Sequence, residues 1–300
     1  MKVIEVQHLE KKYGRSRGIQ DLVFEVRTGE VYGFLGPNGS GKTTTIRTLL
    51  GMLKPTSGQA SILGLDIKRD TVKIRQKVGY LPGELNLYPE MTALEVLRYF
   101  ADLRGMKMDK EVHDTIERLK LDPRKKIRDL SKGNKQKIGI IQAFMHHPEV
   151  LILDEPTSGL DPLMQYEFDQ IILDSKKQGK TVLLSSHVLA EVDKTADRVG
   201  ILKEGRLIVE STMQELKSHA RQQIEVEFAA VPPAESLSNI PGITETQLQG
   251  NRAIFTVSGK MDAFIKTLSR FEILSLRSMS ADLESLFMEY YREDQHVQRV

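Results

Sequence analysis

The sequence predicts an α/β fold followed by a smaller α+β domain, and three observations carry that prediction. Short apolar strands alternate with helix-period segments through the first two thirds of the chain. The stretch GPNGSGKT stands where one strand passes into one helix, and beyond Thr212 the order of strands and helices changes. Alternation of this kind implies helices packed on a mostly parallel sheet. The 300 residues, 40% of them hydrophobic, suffice for one large core and one small one.

Residues 1 to about 35 read as a β-rich N-terminal subdomain, with VIEV, LVFEV and VYGFLG separated by glycine-containing turns. From Lys42 the period changes. Ile46, Leu49, Leu50 and Leu53 share one helical face, and Pro55 is the expected stop. QASILG is the next strand. Thr92 with Glu95 three residues on is a capping box opening a helix over 92–104. A helical subdomain is expected from about 84 to 147, through DKEVHDTIERLKL, the basic PRKKIRDLSKGNKQK and KIGIIQAFMHH. Strand returns with VLILD at 150–154. Asp161 and Pro162 then read as N-cap and first helical residue of a helix that Gly179 closes. TVLLSS is a strand, VGILKEG and RLIVES a hairpin, and Thr212 with Glu215 a further capping box. These elements define a first domain over 1–219. Residues 220–300 read as βαββαβ, the order of a ferredoxin-like unit, with a terminal helix in DLESLFMEYY.

Composition narrows the function classes. Lys and Arg number 43 against 41 Asp and Glu, so no global field selects nucleic acid by sign. The local run Arg124, Lys125, Lys126, Arg128, Lys132, Lys135, Lys137 has no interleaved aromatic platform, so a nucleic-acid partner is not expected. With 0 cysteines there are no disulfides and no thiol chemistry. The start, MKVIEVQHLEKKYG, lacks a signal-peptide core, and no apolar run approaches the about 20 residues that cross a bilayer. Any service to a membrane is expected from the water side, through a partner.

The chemistry concentrates in a few motifs. Gly36, Pro37, Asn38, Gly39, Ser40, Gly41, Lys42 and Thr43 match the phosphate loop G-x-x-x-x-G-K-[ST], with Thr44 following. Its glycines let backbone N–H groups converge on phosphate, the helix contributes its positive end, Lys42 reaches the β- and γ-phosphates, and Thr43 can ligate Mg²⁺. VLILDE ends an apolar strand in two acids: Asp154 suits a Mg²⁺ held through water, and Glu155 stands where a base can polarise an attacking water. His146 and His147, at a helix end, read as partners for its dipole.

With these residues the chain resembles the ATP-binding cassette family, most closely over residues 1 to about 215. LSKGNKQK resembles the family signature Leu-Ser-Gly-Gly-Gln. Leu130, Ser131 and Gly133 match, while Lys132 and Asn134 depart. The resemblance implies a P-loop NTPase cassette in which Ser131 and Gly133 meet the γ-phosphate of ATP held by an opposite subunit, so that two cassettes pair. It further implies that SGLD at 158–161, with Asp161, crosses that interface, that His187 in LLSSHVLAEV contacts the γ-phosphate, and that Tyr13 stacks on adenine. GYLPGELNLYPEMT, at 79–92, resembles the segment where the family has its Q-loop. There the alignment puts Gly83 in place of the usual Gln, with Glu84 adjacent and either substituting for it or facing solvent. One cassette without a long heptad tract favours the transport class, most like bacterial ABC-2 type exporters with a separate membrane permease, at the cytoplasmic face of the membrane. The alternative is a soluble ATPase regulating a non-transport partner.

Overall fold

The computed structural model describes residues 1–14, 16–219, 222–237, 240, 242–257 and 261–278. The chain divides into two compact units, Met1–Met213 and Gln214–Val300, each with its own apolar core.

The first unit runs β1 (Lys2–Tyr13), β2 (Ser16–Arg27), β3 (Val31–Leu35), α1 (Lys42–Leu49), β4 (Ser57–Ile62), β5 (Leu65–Asp66), α2 (Thr71–Lys77) and β6 (Val78–Leu81). Then come α3 (Ala93–Leu103), α4 (Lys110–Arg118), α5 (Lys132–Phe144), β7 (Val150–Asp154), α6 (Pro162–Lys177), β8 (Thr181–Ser186), α7 (Leu189–Val192), β9 (Arg198–Lys203) and β10 (Arg206–Thr212). A six-stranded sheet has the order β10-β9-β3-β8-β7-β6, parallel except for the β9–β10 hairpin. VYGFL, VLILD and TVLLSS are buried at every position, as strands covered on both faces must be. A second, antiparallel sheet, β2-β1-β4-β5, shares a core with it. Phe24 of β2 stacks on Tyr32 of β3 with ring centroids 5.7 Å apart.

Local chemistry sets most helix ends. Thr92 and Glu95 form the expected capping box on α3, the Glu95 carboxylate accepting from Thr92 N at 2.7 Å. Asp161 caps α6 by accepting from Met164 N at 3.0 Å, with Pro162 at its first position. Two expectations need correction. The first helix ends at Leu49 rather than running to Pro55, leaving Leu53 outside it. The reason is Gly51, at φ +64°: Gly51 N donates to Thr48 O and Met52 N to Arg47 O, a Schellman closure of the last turn. Nor does helix run through PRKKIRDL, which holds only a 3-10 turn at Ile127–Asp129. Its backbone is engaged by the segment before α3, through Leu94 N to Pro123 O, Ala93 N to Lys125 O, Ile127 N to Met91 O and Arg128 N to Pro89 O. Lys126 and Arg128 both pair with Glu90, so part of the basic run is neutralised within the chain.

In the second unit α8 (Met213–His219) leads to β11 (Gln222–Phe228), α9 (Ala234–Leu237), β12 (Ile243–Gln249), β13 (Arg252–Val257), α10 (Asp262–Leu268) and β14 (Ile273–Ser278). All pairings are antiparallel in the order β12-β13-β11-β14, the ferredoxin-like arrangement expected of βαββαβ. Ile224, Val226 and Phe228 alternate inward against Phe255, Phe264 and Leu268, while Glu225 and Glu227 are only half-buried. The helix expected in DLESLFMEYY lies outside the described residues. Among the described residues no helix is long and apolar enough to cross a membrane.

Candidate functional site

The phosphate loop spans the turn from β3 to α1, and its backbone tolerates little else. A Cβ at Gly36 would stand 2.4 Å from Ser40 Oγ and 2.6 Å from Leu202 O, and Gly41 has φ +110°. Gly41 is the N-cap of α1 and brings no capping side chain, so the first N–H groups of that helix are left for an anion. Lys42, 5% exposed, lies back over the loop: its Nζ donates to Gly36 O at 2.5 Å and Pro37 O at 3.2 Å. Among the described residues Ser40 Oγ is buried without a hydrogen-bond partner, and the Thr43 and Thr44 hydroxyls make no hydrogen bond. Pro37, Asn38 and Gly39 form the exposed apex. Tyr13 is 45% exposed, with Lys11 Nζ 5.2 Å from its ring centre. Its ring packs beside Gly18, whose carbonyl in turn lies against Gly41.

Strand β7 delivers the acids. Asp154 is fully buried; Oδ1 accepts from Ser185 Oγ at 2.6 Å, while Oδ2 has no hydrogen-bond partner among the described residues. Glu155 has φ +49° and is fixed by its N–H, which donates to Ser185 O at 3.2 Å and Ser185 Oγ at 3.0 Å. Its carboxylate lies between two nitrogens: Oε1 is 3.2 Å from Lys42 Nζ, and Oε2 is 2.8 Å from His187 Nδ1. A carboxylate only accepts, so Nδ1 is the protonated nitrogen of His187 and Nε2 points elsewhere. Lys42, Glu155 and His187 are thus one linked group beside the open oxygen of Asp154.

Gly83 belongs to this group by position. A Cβ there would lie 3.4 Å from Asp154 Oδ2, so a side chain at 83 would meet the acid directly. Glu84 is exposed and makes no hydrogen bond or ion pair among the described residues.

Among the described residues Ser131, Gly133 and Asp161 make no hydrogen bond or ion pair to the phosphate loop of their own chain. Ser131 caps α5 by accepting from Asn134 N at 3.3 Å. Gly133 abuts Gly159, where a Cβ would stand 2.3 Å from the carbonyl oxygen. Several supporting residues escaped the sequence reading. Ser185 holds Asp154 and Glu155, and Glu191 accepts from both Thr157 Oγ1 at 2.8 Å and Ser186 Oγ at 2.9 Å, tying the loop after Glu155 to the one bearing His187. The Ser-Ser ending of TVLLSS was the one visible sign, a polar pair closing an apolar strand.

A glycine-rich turn at a helix N-terminus, with two acids at the end of β7, one strand removed from β3 across β8, is the arrangement of a P-loop nucleoside triphosphatase. The ABC transporter family profile matches residues 19–158. The bacitracin transport ATP-binding protein of Bacillus licheniformis is 38% identical over 76% of this chain and 75% of its own length. The probable multidrug ABC transporter ATP-binding protein of Escherichia coli K12 is also 38% identical, over 73% of this chain and 38% of its own. Among solved structures, an ATP-binding subunit of an ABC transporter superposes with TM-score 0.65 at 31% identity, covering 72% of this chain and 92% of that one. A dimeric bacterial ABC transporter cassette gives TM-score 0.65 at 24% identity over 70% and 98%, a likeness of fold. The chain belongs to the ABC transporter family, as an ATP-binding subunit that hydrolyses ATP.

Proposed function

We propose that this subunit drives an exporter, pairing with a second cassette and with a separate permease at the cytoplasmic face of the membrane. The exporter reading is supported by the relatives named for bacitracin and multidrug transport. Tyr13 stacks on the adenine, and Gly36 to Thr44 bind the phosphates, Lys42 exchanging the carbonyls of Gly36 and Pro37 for phosphate oxygens. The unpartnered Asp154 Oδ2 and the free Thr43 hydroxyl fit a Mg²⁺, a hard cation that takes one or two protein oxygens and keeps its waters. The metal's contribution is to neutralise phosphate charge. Ser131 and Gly133, at the start of α5, complete the site of the opposite cassette, with Asp161 and its loop at the interface. Residues 220–300 form an accessory domain, and the exposed Tyr88–Tyr99 pair of the helical subdomain offers the permease an aromatic ridge.

The observation that carries this reading is the Glu155 carboxylate, held between Lys42 and His187 beside Asp154. Glu155 acts as general base on the attacking water, and His187, released from it, turns to the γ-phosphate. Glu155→Gln is expected to keep nucleotide affinity, lower turnover by at least about a hundredfold, and accumulate closed dimers in the presence of ATP. Full ATPase activity in that variant would remove Glu155 from the role. Copurification from membranes with a multi-span protein tests the permease; copurification with none would leave the exporter assignment without support.

A further inference from the structure

Three contacts from the first turns of α5 land on the loop that begins at Glu155. Gln136, 3% exposed, donates its Nε2–H groups to Pro156 O at 2.9 Å and Glu155 O at 3.3 Å. Lys132 Nζ donates to Ser158 Oγ at 2.8 Å, and its stem lies along Gly159, where a Cβ would be 3.2 Å from Lys132 Cγ. Gly133 packs on the Gly159 carbonyl. Glu155 itself sits at φ +49°, a left-handed value that strains a non-glycine residue and persists only where neighbours hold it. Ser185 and Glu191 hold one side of this loop, and α5 holds the other.

We propose that Gln136 and Lys132 are positioning residues for ATP hydrolysis. They clamp the loop 155–159 to the first two turns of α5, which begin at Ser131 and Gly133, so the start of that helix sets the placement of this chain's own Glu155. The proposal rests on Glu155 as the base. Lys132 stands where the family pattern has glycine, and only a long donor there can span to Ser158. The buried carbonyls of Glu155 and Pro156 receive the Gln136 amide; without it two acceptors flanking the reactive carboxylate lose that donor. Whatever engages Ser131 and Gly133 pulls on this turn, and the pull reaches Glu155 through two short hydrogen-bonded links. One cassette's engagement of its neighbour's nucleotide therefore aligns the base in its own site.

The test is a mutant cycle in the full-length protein, reading kcat, KM, nucleotide Kd and Tm. Lys132→Met and Ser158→Ala are each expected to lower kcat about fivefold with KM and Kd within about twofold, the signature of lost alignment rather than lost binding. The double variant should be no slower than either single, because both remove one bond. Lys132→Arg should restore the rate. Gln136→Leu should cost more, about fiftyfold; if it does not fold, the Lys132–Ser158 cycle decides alone. Unchanged kcat in both singles, additive losses in the double, or a rise in nucleotide Kd with kcat unchanged would overturn the proposal. Glu155→Gln run alongside separates the two readings: retained turnover there defeats the base assignment, whereas abolished turnover with a flat Lys132 cycle defeats only the clamp.

Discussion

Burial, reinforced by the Arg104 charge, pushes the His146 imidazole down from 6.5 to about 4. A histidine at a helix end reads in sequence as a cation for the dipole, but this one is neutral at pH 7: Nε2 meets Val78 O at 3.2 Å and Nδ1 is buried without a partner. Between about 4 and 6.5 the unfolded chain takes up a proton that the folded chain refuses. Stability is therefore whole above that window and lost as pH falls through it, by about 1 kcal/mol at pH 5 once partial exposure is allowed for. His146→Gln, which keeps a donor for Val78 O, should flatten urea stability between pH 6.5 and pH 5 relative to the parent; an unchanged slope would exclude His146 as its source. The same limit on legibility applies in the site. The order and spacing of Gly36 to Thr44, Asp154 and Glu155 could be read because phosphate binding demands consecutive residues. The links from Gln136 to Glu155 O and from Glu191 to Thr157 and Ser186 could not, since nothing local in the sequence marks which distant carbonyl or hydroxyl an amide or acid will find.

Among elements, α3 shows what a helix start contributes. Thr92→Ala removes both the side-chain acceptor for Glu95 N and the hydroxyl donating to the Glu95 carboxylate. It should destabilise the cassette by about 1 kcal/mol, measured as a lower urea midpoint at constant m-value. Thr92→Ser should recover most of that, and an equal loss in both variants would mean that the cap is not the cause. Such starts are legible because cap and first turn lie within four residues of each other. Ends and irregular stretches depended on more. The stop of α1 follows from Gly51, which sequence reading passed over for the more conspicuous Pro55. The irregular, non-helical course of 123–128 is dictated by backbone partners at 89–94, some thirty-five residues away, that no periodicity announces.

At the scale of the whole molecule, two separate cores predict two melting events. Calorimetry with ADP at about a hundred times its Kd should raise the transition of residues 1–213, by roughly 5–10 °C, and leave that of the second unit in place. Lys42→Ala should abolish the shift; a shift that survives it would place the nucleotide somewhere other than the phosphate loop. The ferredoxin-like order of the second unit was legible from its strand and helix sequence, because short antiparallel connections leave few alternatives. The cassette's central strand follows a longer logic. Strand β3 has β8 and β9 as its sheet neighbours, and the phosphate loop rests on the tip of the β9–β10 hairpin: Gly205 N donates to Ser40 O, and Gly205 O accepts from Gln20 N. This set of partners is complete only when the nascent chain has reached residue 205. At 5–20 residues per second, the wait for them is on the order of ten seconds or more. The glycine-rich turn after β3 is thus among the first segments to leave the ribosome, yet its support is finished only when segments some 170 residues later have been made. Meanwhile the fully buried strand β3 lacks its sheet neighbours, which makes that interval the point at which a chaperone has most to do.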